Sequence, residues 1–311
     1  MSPARPTRFT VRVPATTANL GPGFDCLGLT LDLWNEATFT VTGEAIEVSA
    51  TGEGSDRLPH GDDNLVVSAL RRLYEQVGEP SPRGLRIDCR VGVPLASGLG
   101  SSSSAVVAGL LAANELLGGD VSGVALLGLA AELEGHPDNV AAALGGGLVV
   151  VVRSAGDLLT ERFDLPAIDV GLAVPKLEYS TTASRAELPA YVALEDAVYN
   201  MGRATLVVEA LRRADLELLG KAMHDRLHQA QRLERVPGGV AAMAAALAAG
   251  AAAVAVSGSG PSLIAFCENA PSAAVAAGAM VDELSRAGVH SRPLTLRTTT
   301  GAATVERVPG G

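Results

Sequence analysis

The segment from Gly92 to Ser104 constrains the fold of this chain more than any other part of its sequence. It follows a run rich in apolar and β-branched residues, Leu85 to Val93, which is typical of a strand. It leads into Ser102 to Leu117, whose alanines and leucines favour a helix. Two glycines, Gly98 and Gly100, and then four consecutive serines stand at the junction. The pattern predicts a strand, a glycine-rich turn and a helix with hydroxyl groups in its first turn.

Such a turn is a binding site for anions. The first amides of a helix have no intrahelical partner, and the helix dipole places about half a positive charge there. The sequence is not a Walker A motif, because no lysine follows the second glycine. It is not a dinucleotide motif either, because Ser103 stands where the third glycine belongs. A single serine would be explained equally well as a helix cap. Four exceed what a cap requires, so we predict that the loop binds phosphate and offers a hydroxyl to Mg²⁺.

The composition limits the classes of function that remain. The chain has 311 residues, of which 48% are hydrophobic and 19% charged, so it is long enough to form two ordinary packed domains or one large one. Only 3% of the residues are aromatic and the net charge is -10, which argues against a nucleic-acid partner. The sequence contains no signal-peptide pattern, no apolar run long enough for a membrane span and three scattered cysteines. We therefore expect a cytoplasmic protein without a membrane partner.

Strand and helix patterns are mixed along the whole chain. Helical spacing predicts helices at Asn64 to Val77, Leu188 to Arg213 and Leu216 to Gln231, among others. Strands and helices do not alternate strictly, which favours the α+β class. We expect two domains, residues 1–160 and residues 161–311.

Three segments in the same order resemble the signatures of the GHMP kinase superfamily. Pro14 to Gly28 is similar to the first signature in its homoserine kinase form, Pro94 to Ser103 to the second, and Gly258 to Ser262 to the third. The segment from Glu134 to Val140 is also typical of the homoserine kinase branch. The resemblance spans the chain. It implies a ribosomal-S5-like N-terminal domain, a ferredoxin-like C-terminal domain, and ATP on the serine loop between them.

The resemblance also implies a reaction. The γ-phosphoryl group of ATP passes to the side-chain hydroxyl of L-homoserine, giving O-phospho-L-homoserine on the route to threonine. The residues expected to bind ATP are Pro94, Leu95, Ala96, Ser97, Gly98, Leu99, Gly100, Ser101, Ser102, Ser103 and Ser104.

Homoserine is a zwitterion, so its site needs groups of both charges. By the resemblance, Asn19 and Asp25 hold the end with the amine and hydroxyl, while Arg185 and Arg232 bind the carboxylate, for which a planar guanidinium is suited. His136 is expected to position substrate or phosphate. Each has an ordinary alternative: an Asx turn for the asparagine, a solvated surface charge for either arginine and a helix-entry residue for the histidine.

The expected Mg²⁺ ligands are a loop hydroxyl, Ser101 or Ser102, and the carboxylate of Glu134. Glu132 is the less favoured alternative to Glu134. His224 and His228 are spaced like a metal pair, but they lack the glutamate base and third ligand of a zinc motif, so we interpret them as structural.

The resemblance implies catalysis by Asn139, Asn19, Ser102 and Glu134 without a dedicated base, since positioning and charge neutralisation dominate phosphoryl transfer. Asn139 would orient the substrate hydroxyl. Some relatives use an aspartate near the position of Asp138 as a base; without such a role, Asp138→Asn loses less activity than Asn19→Ala or Ser102→Ala.

Two other functions stay open at this stage. One is a GHMP kinase for another alcohol, such as shikimate or mevalonate. The other is a catalytically silent relative that senses ATP and a metabolite. The resemblance is also compatible with a homodimer.

Overall fold

The computed structural model describes residues 7–177 and 181–307, apart from the side chains of residues 181–183. The strands, in chain order, are β1 (Arg8–Ala18), β2 (Leu27–Val41), β3 (Ile46–Gly52), β4 (Leu85–Val91), β5 (Leu148–Ser154), β6 (Asp157–Phe163), β7 (Asp169–Pro175), β8 (Ala253–Val256), β9 (Leu263–Cys267), β10 (Ser291–Arg297) and β11 (Thr304–Arg307). The helices are α1 (Leu65–Val77), α2 (Ser101–Leu117), α3 (Gly123–Glu134), α4 (Asp138–Gly145), α5 (Thr181–Ala186), α6 (Leu194–Arg213), α7 (Leu216–Ala222), α8 (Gln229–Glu234), α9 (Gly239–Ala248) and α10 (Ala270–Arg286).

The first sheet is organised by the long strand β2. Its order is β11-β1-β2-β4-β3, and β5 pairs with the first residues of β2 and with β6. Within the described residues, β3 and β4 form its one parallel pair. Because β2 pairs with β4 at Glu36 to Val41 but with β5 at Leu27 to Leu29, its two ends belong to different parts of the sheet. The N-terminal end of β2, which pairs with β5, begins two residues after Asp25, one of the predicted site residues.

The second sheet is smaller and antiparallel, with the strand order β10-β7-β9-β8. The strand β9 is buried along its whole length, so it packs on both faces. Helices α9 and α10 cover one face, where Met280 and Leu284 contact the apolar side chains of β8 and β9.

A shared core joins the two sheets. Leu29 and Leu31 of β2 belong to the same buried cluster as Leu172 of β7 and Phe266 of β9. The tip of the serine loop enters this cluster through Leu99, which is fully buried. Helices α1, α2 and α3 pack in a separate core on the first sheet. The loop is therefore held between two sheets that share apolar contacts.

The mixed sheets and helices confirm the predicted α+β class. The helix expected from Asn64 begins at Leu65, because the Asn64 side chain accepts a hydrogen bond from the Val66 amide as its cap. The helix after the serine loop begins at Ser101, one residue earlier than predicted.

The prediction of one helix from Leu216 to Gln231 is wrong. The chain forms α7 and α8 with a break between them. Asp225 lies in the break and accepts hydrogen bonds from the amides of Leu227, His228 and Gln229. This carboxylate caps α8, and a cap satisfies amides that a continuous helix would bond to carbonyls.

The helix expected from Leu188 begins at Leu194 instead, after Pro189, which restricts the residue before it to extended conformations. The strands β3, β6 and β11 were not predicted. They are largely exposed, so they lack the apolar signal of the buried strands.

The division at residues 160 and 161 stays a prediction. The strand β6 crosses those positions, and β11 near the end of the described chain pairs with β1 in the first sheet. In the part of the chain that the structure describes, every helix is too short or too polar to cross a lipid bilayer.

Candidate active site

A cavity of about 420 Å³ lies beside the serine loop. Most of the predicted site residues line it: Asn19, Asp25, Leu95, Ala96, Ser97, Gly98, Gly100, Ser101, Ser102, Ser103, Ser104, Glu134, His136, Asn139, Arg185 and Arg232. Two predicted loop residues do not. Leu99 is fully buried in the core, and Pro94 is buried with its carbonyl accepting a hydrogen bond from the Ser97 hydroxyl. These two shape the loop from behind.

The glycines of the loop are required by close contacts. Gly98 has a φ of 81°, and a Cβ at this position would lie 2.2 Å from the Ser257 carbonyl oxygen. Gly100 has a φ of 73°, and its Cβ would lie 2.0 Å from Oγ1 of Thr16. Both the left-handed conformation and the lack of space exclude a side chain. The loop thus fits between β1 and the segment that follows β8.

The four serines occupy different positions at the start of α2. Ser102 and Ser103 direct their hydroxyls to Oε2 of Glu134, at 3.0 and 2.5 Å. Ser104 accepts a hydrogen bond from Asn35 and donates to the carbonyl of Ser101. The Ser101 hydroxyl donates to a backbone carbonyl behind the loop at 3.4 Å, so it does not lie beside Glu134. The hydroxyls nearest a carboxylate are therefore those of Ser102 and Ser103.

The geometry separates the two glutamates that the sequence could not distinguish. Glu134, the last residue of α3, is half-buried and lines the cavity. Glu132 is exposed and forms an ion pair with Arg72 of α1 at 3.3 Å. Within the described ranges, no three His, Cys, Asp or Glu side chains cluster closely enough to hold a metal by themselves. A Mg²⁺ ion here would share Glu134 with hydroxyl, phosphate and water oxygens, a ligand set that this ion accepts.

Asn19 joins two of the signature segments. Its φ is 67°, so it turns the chain sharply at the end of β1. Its side-chain oxygen accepts a hydrogen bond from the Asp25 amide at 3.0 Å, and its side-chain nitrogen donates to the Gly258 carbonyl at 2.8 Å. The side chain therefore does not form the Asx turn given as the alternative, because it accepts its hydrogen bond from an amide six residues on rather than two. The bond to Gly258 was not predicted.

Asp25 and Arg185 form a two-pronged ion pair at the wall of the cavity. Their two hydrogen bonds measure 2.5 and 2.7 Å, and both side chains remain about one-third exposed. These bonds raise the pKa of Arg185 above its usual value. The pair brings the predicted ammonium and carboxylate binders together across 160 residues of sequence.

Arg232 lies beside this pair and is 5% exposed. Its guanidinium donates to the Gly258 carbonyl, and among the residues that the structure describes its Nε has no hydrogen-bond partner. Burial lowers the pKa of Arg232 to about 10, against the attraction of Asp25. The side chain stays charged at neutral pH, so the cavity wall contains a desolvated cation with spare donor capacity.

A chain of hydrogen bonds holds Asn139 at the first turn of α4. Asp138 accepts hydrogen bonds from the Asn139 amide and from Nδ1 of His136, at 2.8 and 2.7 Å. The Asn139 side-chain oxygen accepts from the Thr16 hydroxyl at 2.8 Å, which leaves its NH₂ group to face Asp138 and the cavity. Burial alone would lower the pKa of His136, but the hydrogen bond and charge of Asp138 raise it overall.

Thr16 was not identified from the sequence. It sits inside the first signature, where a period-two strand pattern assigns it only to one face of β1. Its role depends on α4 and the serine loop both packing against β1. The sequence around Thr16 does not predict these contacts, because they join segments that are far apart in the chain.

An apolar part of the cavity lining was also not identified from the sequence. It consists of Leu58, Pro59, Leu65, Val66 and Ala108. These residues come from the loop before α1 and from the facing sides of α1 and α2. Such a surface is suited to a flat apolar ring attached to a group held by the loop.

His224 and His228 do not form a metal pair. His224 is exposed, while His228 is buried and donates a hydrogen bond from Nε2 to the Gly21 carbonyl at 2.8 Å. Burial lowers the pKa of His228 to about 4, so the ring is neutral at neutral pH. The structure thus supports the structural interpretation of both residues.

Comparisons with known proteins agree with this geometry. Family models for the GHMP kinases N terminal domain and the GHMP kinases C terminal domain match residues 64–147 and 207–286. A protein named homoserine kinase from Moorella thermoacetica is 45% identical over 83% of this chain and 86% of its own length. One of the same name from a Synechococcus strain is 42% identical over 94% of both chains. The chain belongs to the homoserine kinase family of the GHMP kinases.

Solved structures confirm the expected GHMP kinase fold. The crystal structure of homoserine kinase from Cytophaga hutchinsonii matches with a TM-score of 0.85 and 31% identity, covering 97% of this chain and 98% of that one. Mevalonate kinase from L. major matches with a TM-score of 0.68 over 97% of this chain and 100% of its own, but at 15% identity it shares only the fold.

Thr16→Val tests the hydrogen-bond chain around Asn139. The substitution preserves the shape of the side chain and leaves the Asn139 oxygen without a donor in a buried place. We expect kcat to fall roughly tenfold and the free energy of unfolding to fall by about 1–3 kcal/mol. Thr16→Ser retains the hydroxyl and should stay near wild type in both steady-state kinetics and urea unfolding. A wild-type kcat in Thr16→Val would contradict this role.

The low pKa of His228 predicts a loss of stability in acid. In the unfolded chain this imidazole takes up a proton near pH 6.5, but in the folded chain only near pH 4, so protonation favours unfolding between these values. Urea unfolding of the wild type should show decreasing stability from about pH 6.5 to about pH 4, and His228→Gln should reduce that decrease. His224→Gln is the matched control for removing one imidazole. An unchanged slope in His228→Gln would contradict the prediction.

Proposed function

We propose that the protein transfers the γ-phosphoryl group of ATP to the side-chain hydroxyl of L-homoserine, forming O-phospho-L-homoserine for threonine synthesis. One observation carries the proposal. A single cavity has the glycine- and serine-rich helix start on one wall and Asp25, Arg185 and Arg232 on another. The first wall suits a phosphate chain, and the second suits a small zwitterion.

ATP would lie along the serine loop with its base at the apolar part of the cavity lining. The loop approaches closely because Gly98 and Gly100 have no side chains, and the free amides of α2 are available to the phosphates. Leu65 and Val66, at the start of α1, belong to the apolar lining of the same cavity. In this proposal, the terminal phosphate would lie near Asn139 and Glu134.

Asp25 and Arg185 are hydrogen-bonded to each other in the structure, and homoserine would break this pair and bind to both side chains. Its ammonium would take the Asp25 carboxylate, and its carboxylate would take Arg185 and the spare donor capacity of Arg232. Asn19 bonds to the Asp25 amide and to the Gly258 carbonyl, and Arg232 donates to the same carbonyl. Asp25 and Arg232 are therefore held in fixed positions beside the serine loop. With both charged groups anchored, the side-chain hydroxyl extends toward the phosphates.

In the transfer, the bond between the γ-phosphorus and the ADP oxygen breaks while a bond forms to the homoserine hydroxyl oxygen, whose proton passes to an oxygen of the transferred phosphoryl group. Asp138 also lines the cavity, but its Oδ1 accepts hydrogen bonds from His136 and from the backbone amide of Asn139, so we assign this carboxylate to holding these two residues. The Asn139 side chain is oriented by Thr16 and faces the cavity. This supports a mechanism by positioning and charge neutralisation rather than by a strong base.

A Mg²⁺ ion would be held by Glu134 with the hydroxyls of Ser102 and Ser103, rather than with Ser101, whose hydroxyl is directed away. When bound, the ion would neutralise charge on the phosphate oxygens. We also propose a cytoplasmic location, from the lack of a signal-peptide pattern and the three scattered cysteines, and assembly as a homodimer, from the family resemblance.

An ADP-release assay across four alcohols tests the proposed substrate. With ATP and Mg²⁺ present, we expect kcat/KM for L-homoserine to exceed that for shikimate, mevalonate and galactose by at least roughly a hundredfold, because only homoserine satisfies both Asp25 and the arginines. Turnover of none of the four would contradict the kinase proposal, and a preference for mevalonate or shikimate would contradict the substrate.

Glu134→Gln and Glu132→Gln form a matched pair on α3. Loss of the Glu134 carboxylate should lower kcat roughly a hundredfold and raise the Mg²⁺ concentration needed for half-maximal rate. Glu132→Gln removes the same charge two residues away, where the side chain only pairs with Arg72, and should stay within about twofold of wild type. The rate is measured by ADP release over a Mg²⁺ titration. An unaltered Mg²⁺ requirement in Glu134→Gln would contradict its role.

A further inference from the structure

Phe24 contacts both arginines of the cavity wall. The guanidinium carbon of Arg185 lies 5.4 Å from the centre of its ring, and that of Arg232 lies 5.5 Å from it. The phenyl ring is half-buried and does not line the cavity itself. Phe24 therefore has no direct contact with the space that the substrate would occupy, yet it touches the two side chains that face it.

Two guanidinium groups in one small site repel each other. The charge of Arg185 is one of the influences that lower the pKa of Arg232, after burial. Asp25 neutralises Arg185 by direct hydrogen bonds, whereas within the described part of the chain the guanidinium of Arg232 donates only to the uncharged Gly258 carbonyl. An aromatic ring attracts cations through its negative face, and the attraction grows when the cation is desolvated. The ring of Phe24 thus attracts both guanidinium groups and offsets part of the repulsion between them.

The ring is itself held in place. His228 packs against Phe24 with ring centres 5.2 Å apart and planes tilted by 36°. The histidine is buried and anchored by its hydrogen bond to Gly21. Because burial keeps this imidazole neutral, it adds no third positive charge beside the arginines. A fixed ring can hold the guanidiniums in one geometry.

We propose that Phe24 is a positioning residue that aligns Arg185 and Arg232 to receive the carboxylate of the amino-acid substrate. The inference rests on the proposed function, and it adds a residue that acts through the two arginines rather than by touching substrate. Loss of the Phe24 ring should therefore weaken binding of the substrate carboxylate. Phe24 contacts neither the serine loop nor Glu134 in this proposal, so binding of ATP should not change.

Phe24→Leu removes the aromatic face and keeps an apolar side chain. We expect the KM for L-homoserine to rise roughly tenfold, because the arginines lose their alignment, while kcat and the KM for ATP stay within about twofold. Phe24→Tyr retains the ring and should restore the wild-type KM. Phe163→Leu is the matched control, since Phe163 also lies against an arginine, Arg212 at 5.1 Å, but outside the cavity.

A double-mutant cycle with Arg185→Gln separates positioning from general damage to the fold. In the Arg185→Gln background, Phe24→Leu should raise the KM for homoserine by less than half the factor seen in the wild type. Thermal unfolding establishes that each variant is folded, and Phe24→Met replaces Phe24→Leu if the latter is not.

Three outcomes would overturn the inference. They are an unchanged KM for homoserine in Phe24→Leu, an equal rise in the KM for ATP, or a full effect in the Arg185→Gln background. Failure of the wild type to phosphorylate homoserine would overturn the proposed function together with this inference. The wild-type assay is run first, so this failure is distinguished from a failure of the inference alone.

Discussion

The structure depends on the close approach of the serine loop to the backbone on either side of it. At Gly98 the loop meets the Ser257 carbonyl, and at Gly100 it meets the Thr16 hydroxyl, at distances that no Cβ could occupy. Leu99, between the glycines, is buried in the core that joins the two sheets. The same three residues therefore shape the proposed phosphate site and contribute to the contact between the two sheets.

Every other feature of the site follows from that junction. Because the loop is clamped against β1, the Thr16 hydroxyl reaches Asn139 and fixes its amide. Because the segment after β8 packs against Gly98 of the loop, the Gly258 carbonyl can accept hydrogen bonds from both Asn19 and Arg232. Asp25, Arg185 and Arg232, the groups proposed to bind a zwitterion, thereby line the same cavity as the start of α2, which is proposed to bind phosphate.

The sequence was most informative where chemistry is local. Glycines and serines before a helix, the Asn64 cap and the buried strands all leave a signal within a few residues, and the structure contains these elements. It was least informative where a contact joins distant segments. The helix expected across residues 216–231 is broken because Asp225 caps α8. The partnership of Phe24 with Arg185 and Arg232 exists only in the folded chain.

In the proposed reaction, the charged anchors direct the side-chain hydroxyl of an amino acid to the terminal phosphate of ATP. Phosphorus NMR of the products formed from ATP, Mg²⁺ and L-homoserine tests this directly. We expect one new phosphate monoester, with the phosphate coupled to the protons of the terminal side-chain CH₂ group. A phosphate on the carboxylate or the amine, or hydrolysis of ATP to inorganic phosphate with homoserine unmodified, would contradict the proposed reaction.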